Sequence, residues 1–185
     1  MELTRALIEQ SATEYERDAP FYTVEQESIE TLPAAFKNGE FGRRDAIWIV
    51  EWYYRRELGA VSNRERRALE DEFEENDRRE IKRAVVDAAN ADTLDAATDS
   101  LTALSGVDIT VASAFLFFID PDRYLVVSET EWDVLHDADY LSEPYPDPPT
   151  LDQYREYLDV CQGLADRFDC DLWTLYQALR QLSDR

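Results

Sequence analysis

Apolar residues recur three and four positions apart along almost the whole chain, so little sequence is left from which strands could form. Helical patterns cover residues 3–17 and 24–38, the second closing at Asn38-Gly39 with glycine in the usual position after a helix. The next, Arg44–Leu58, stops at Gly59. Ser62 with Glu65 three residues on forms a capping box for RERRALEDEFEE. Asp77 caps a pattern running to Ala89, Thr93 caps LDAATDSLTAL, and Asp108 caps ITVASAFLFFI. Ser128 with Glu131 and Thr150 with Gln153 make two more capping boxes, for Glu129–His136 and Leu151–Phe168, and Leu172–Leu182 closes the chain. Only Tyr124–Val127, YLVV, competes as a strand, and four residues suit an extended connection better. The pattern predicts an all-α fold of nine or ten helices in one domain over 1–185, with a proline-rich surface loop at 137–150.

Charge restricts the possible partners. The chain carries 41 acidic and 19 basic residues, a formal charge of -22, and only Lys37 and Lys82 among its cations are lysines. Carboxylates spread this densely repel one another in dilute buffer and remain hydrated when salt screens them, which points to a halophilic protein. A partner-binding acidic protein or a nucleic acid mimic is the alternative.

Several function classes are excluded or weakened. Cys161 and Cys170 stand nine apart, a spacing of neither a redox pair nor a zinc site, so no metal or cofactor is expected. His136 is the sole histidine and lies in the acidic stretch HDAD, which leaves one possible base for a nucleophilic triad. No glycine-rich nucleotide loop is present. The start has no basic end followed by an apolar run, and the longest apolar stretch, Val111–Ile119, is half of what a span needs; both point to a soluble cytoplasmic protein without a membrane partner.

LTALSGVDITVASAF reads as a helix end, a tight one-glycine turn and a second helix beginning at once, within a hairpin over 94–119. Such a turn presents its amides and the second helix's N-terminus to one side, the arrangement that holds a phosphate. Leu104, Gly106, Val107 and Ala112, with the link Asp120-Pro121-Asp122-Arg123-Tyr124 behind them, resemble the helix-hairpin-helix superfamily of DNA glycosylases. The stretch is similar as well to prokaryotic proteins of this fold with a Trp-rich helix upstream, as IWIVEWYYRR is here. The resemblance implies that Gly106, Val107 and Asp108 face nucleic acid. It places the family's second turn glycine at Asp108, its lysine nucleophile at Thr110 and its aspartate at Ser128, with Glu129 next to it as the weak substitute carboxylate. It therefore implies the fold, with binding of DNA or a nucleobase, and removes the family's lysine and aspartate chemistry. The alternatives are a helical domain turned to a protein partner and an enzyme using Glu129.

Trp48 and Trp52 lie one turn apart, with Arg55 and Arg56 following, so a flipped base could stack between the rings with Arg55 on its phosphate. The competing reading is a core helix whose arginines reach out to water. Two basic clusters, Arg64, Arg66 and Arg67 and then Arg78, Arg79, Lys82 and Arg83, flank an acidic middle, and pairing between residues four apart is expected to neutralise them.

Overall fold

The structure is a computed structural model and describes residues 1–56 and 62–183. Among the described residues it is all-α, with ten helices and no strand. These are α1 (Arg5–Asp18), α2 (Tyr22–Asn38), α3 (Arg43–Arg56), α4 (Asn63–Glu74), α5 (Arg78–Ala89), α6 (Leu94–Thr102), α7 (Ile109–Ile119), α8 (Glu129–Asp137), α9 (Leu151–Phe168) and α10 (Leu172–Ser183). The expected stop of α3 at Leu58-Gly59 lies outside the described residues.

The helix ends sit where cap chemistry puts them. Ser62 and Glu65, Asp77 and Glu80, and Thr150 and Gln153 each close reciprocal capping boxes, while Thr93 and Asp108 accept from the amides of Ala96 and Val111. After α2, Gly39 takes the left-handed conformation with φ +68°, and the amides of Glu40 and Gly39 return to the carbonyls of Ala35 and Phe36. One expectation is corrected: Ser128 makes no cap hydrogen bond with its side chain. Its hydroxyl donates to the carboxylate of Glu131 instead, because Glu131 is fully buried and needs donors more than the helix end does.

The chain divides into two compact units. The first comprises Met1–Glu27 and Pro121–Arg185, in which α10 packs on α1, α8 and α9. Its buried connection Tyr124–Val127 has no regular secondary structure and no strand beside it among the described residues. Side chains of α9 replace one: the hydroxyls of Tyr154 and Tyr157 donate to the carbonyls of Leu125 and Val126, both at 2.9 Å, so the buried backbone acceptors are satisfied.

The second unit, Ser28–Asp120, is built around α7, in which every residue from Thr110 to Ile119 is buried. An evenly apolar helix can only be central. Trp52 stacks on Phe117 with ring centres 6.0 Å apart and meets Phe118 edge-on at 4.8 Å, while Phe73 of α4 lies 5.8 Å from Phe115. Each such side chain, once buried, contributes about 2–3 kcal/mol.

Candidate nucleic-acid interface

The α6–α7 turn is shaped by two backbone requirements. Gly106 has φ +72°, a conformation L side chains rarely adopt, and a Cβ there would stand 3.0 Å from the amide nitrogen of Phe73. The turn is tied to the end of α4 by Asn76, whose amide group donates to the Ser105 carbonyl and accepts from the Ser105 amide, both at 2.9 Å. A third bond from Asn76 reaches the Phe73 carbonyl at 2.8 Å. Gly106 is therefore required by the close approach of α4 as well as by the turn.

These bonds use up much of what the turn could offer an anion. The Ser105 amide is taken by Asn76, the Val107 amide by the Leu104 carbonyl at 3.3 Å, and the Val111 amide by Asp108 Oδ1 at 2.9 Å. Val107 is buried, Gly106 half-buried, and Asp108 alone of the three stands exposed, with its negative charge outward. Thr110, at the position of the family's lysine, is buried, and its hydroxyl donates to Asp108 Oδ1 at 2.6 Å.

On α3 the two tryptophans stack on each other at 6.4 Å, and Trp48 is half-buried against Phe118 at 5.3 Å. Trp52 is 1 % exposed, so neither of its faces is open to a base. Both rings meet the C-terminal end of α7, eight residues and about 12 Å of helix from the turn. Arg55 is held by carboxylates, donating to Glu51 at 2.8 Å and to Glu70 at 3.2 Å, and the Glu70 hydrogen bond above all raises its pKa. The aromatic residue of α3 that does lie near the turn is Tyr54, whose hydroxyl has its pKa raised by burial and then by the negative charges of Asp108, Glu72 and Glu70. Its sequence signal was its place two residues after Trp52, nearly the opposite side of the helix from the tryptophans.

In the other unit, Ser128 is buried at the start of α8 and Glu129 is exposed in its first turn. The carboxylate that is enclosed there is Glu131, accepting from Ser128 and facing Arg180 Nη1 at 3.6 Å. Both neighbours hold it in place, and no surface of it is open to a substrate. Among the described residues no three histidine, cysteine, aspartate or glutamate side chains gather closely enough to hold a metal ion, and no helix is long and apolar enough to cross a membrane. Comparison with protein families, with curated proteins and with solved structures finds no match to the chain.

Proposed function

We propose that this chain is a DNA-glycosylase-like helical scaffold that binds nucleic acid or a nucleobase without base excision, in a cytoplasm of high salt. The observation that carries the reading is the hairpin: a left-handed Gly106 packed on the Phe73 amide, followed at once by the capped start of α7. The loss of chemistry rests on the two hydroxyls at the family's reactive positions. Thr110 and Ser128 are both buried, bound to Asp108 and Glu131 respectively, and neither hydroxyl replaces the family's lysine amine or aspartate charge. An enzyme using Glu129 is the weaker reading, because its side chain is exposed to solvent in the first turn of α8.

Titrating the protein with single-stranded, duplex and abasic-site DNA in molar potassium chloride, following tryptophan emission and strand cleavage together, tests this. Saturable quenching without cleavage is the expected result, and silence towards all three leaves the protein-partner reading in its place. Asp108→Asn sharpens the test, since asparagine keeps the cap acceptor while removing the charge. If the turn faces a phosphate, that variant binds DNA about fivefold more tightly, from about 1 kcal/mol of relieved repulsion at 4 Å in water.

A further inference from the structure

The basic clusters were expected to be neutralised by acids one helical turn away, and α5 departs from that. Arg66 does pair with Glu70 at 2.9 Å. Arg78, Arg79, Lys82 and Arg83 are all exposed, and none of them forms an ion pair or a side-chain hydrogen bond with a described residue. Of the acids within four residues, Glu80 accepts from the Asp77 amide at 3.0 Å and Glu74 faces Arg43 at 3.7 Å, while Glu75 and Asp87 form no ion pair with these cations. In a chain with 41 acids against 19 bases, four such cations on one helix stand out.

At 3.6 residues per turn these four side chains span an arc of about 140°, across the helix from the buried Ile81, Val85 and Ala88. Arg78 with Lys82, and Arg79 with Arg83, are each separated by about 6 Å along the axis, close to two phosphate steps of about 3.4 Å on one strand. The stem of Lys82 lies over Gly39, where a Cβ would approach its Cε to 3.3 Å. Arg83 lines a cleft of about 170 Å³ with Asn76, Ser100 and Leu104, which carries the face towards the hairpin; Glu80 and Asp87 are the carboxylates in that cleft.

We propose that the solvent face of α5, and not the α6–α7 turn, neutralises the phosphates of duplex DNA; this rests on the nucleic-acid reading above and assigns its contact surface. Charge complementarity selects the occupant. A protein interface needs aromatic or aliphatic anchors at its centre, and the large hydrophobic residues that stand exposed among the described residues are Met1 and Val24, neither of them on α5. Four cations with no apolar anchor suit a backbone of regularly spaced charges and confer no preference for base sequence. The turn contributes shape and Asn76 holds it beside the face, while its Asp108 keeps the backbone off the hairpin itself.

The test is fluorescence anisotropy of a labelled random-sequence duplex against KCl concentration, with the wild type, Arg79→Gln/Arg83→Gln, and Arg155→Gln as a control. Arg155 is paired with Asp152 in the other unit. Four phosphate contacts give a slope of log K against log salt of about -3.6, and removing two brings it to about -1.8 with a loss of about tenfold per arginine near 0.1 M salt. The control retains the wild-type slope, and thermal melting confirms that both variants fold. Duplex binding with an unchanged slope in the double variant overturns the assignment to α5 and leaves the nucleic-acid reading standing. No duplex binding by the wild type overturns the assignment to α5, and silence towards single-stranded and abasic-site DNA as well overturns both. Self-association in sedimentation that the double variant abolishes gives the face to a second, acidic copy of this chain and overturns the proposal as well.

Discussion

The two units treat charge in opposite ways. In the first, carboxylates go inside: Glu25 accepts from Tyr15 at 2.7 Å and from Tyr176 at 3.3 Å, and Glu131 accepts from Ser128 beside Arg180. Its cations are engaged, Arg5 with Glu9 and Asp169, Arg17 with Asp18, Arg155 with Asp152. The second unit buries no carboxylate among its described residues, fills its centre with Trp52, Phe73 and the phenylalanines of α7, and leaves the cations of α5 in water. A buried charge demands partners fixed to within a bond length, whereas an aromatic core demands only shape and volume. The first unit therefore uses buried carboxylates to define its interior, whereas the charge buried in the second is the Arg56 guanidinium over the Trp52 ring, and the cations of α5 stay on its surface.

The largest effect that could break this contrast comes from Arg180→Met. It strands the fully buried Glu131 carboxylate without its cation, and about 3 kcal/mol of stability should be lost, read from the urea midpoint. Arg155→Met removes a local surface pair whose members are 39 % and 91 % exposed, and should cost less than about 0.5 kcal/mol. Equal costs would mean that the buried pair defines nothing. Pairing Arg180→Met with Glu131→Gln should recover part of the loss, since the amide no longer carries a charge.

Glycine substitutions test the contrast with opposite signs. Gly106→Ala forces a Cβ to 3.0 Å from the Phe73 nitrogen at φ +72° and should destabilise by about 2 kcal/mol. Gly163 of α9, in the first unit, has nothing within 4 Å of its Cβ position, and alanine there should stabilise by about 0.8 kcal/mol. If both variants lost stability, the tightness of the hairpin would not be a property of the turn.

Helices and caps were legible in the sequence because their causes are local: period, N-cap residue, and the glycine after α2 all lie within a few residues of the effect. What failed was governed by distance. Ser128 has the sequence of a capping box, but Glu131 answers to Arg180 on α10 and turns the hydroxyl inward. YLVV was read as extended, yet nothing near it announced that Tyr154 and Tyr157 would hold its carbonyls. At the candidate site, the turn glycine could be read because the turn's own backbone requires it, while the second requirement, the close approach of α4, could not. The state of the basic clusters could not, because Glu70 is drawn to Arg55 across helices and Glu74 to Arg43. The tryptophans of α3 looked like a stacking surface until Phe117 and Phe118, far along the chain, supplied their partners.

Alkali sharpens the comparison further. The hydroxyls of Tyr15, Tyr154 and Tyr157 in the first unit all have pKa values raised above the ordinary 10, in each case by burial first, and in the second unit that of Tyr54 is raised by burial as well. The folded state keeps these protons while the unfolded chain releases them above about pH 10, so their stabilisation is complete below pH 10 and declines as pH rises beyond it. The slope is about 1.4 kcal/mol per pH unit for each tyrosine. The buried thiol of Cys161 is raised in the same direction from its ordinary 9, again by burial, so the decline begins about one unit earlier. Tyr157→Phe should cost about 1 kcal/mol at neutral pH, for the lost bond to the Val126 carbonyl, and should flatten the alkaline slope by one tyrosine's share. Tyr54→Phe should flatten it by the same slope at first but over a shorter pH range, because that half-buried hydroxyl has the lesser upward shift. Urea midpoints taken from neutral pH upward decide this: flattening by the two variants over the same pH range would erase the difference between the units, since it would show that their tyrosines titrate alike.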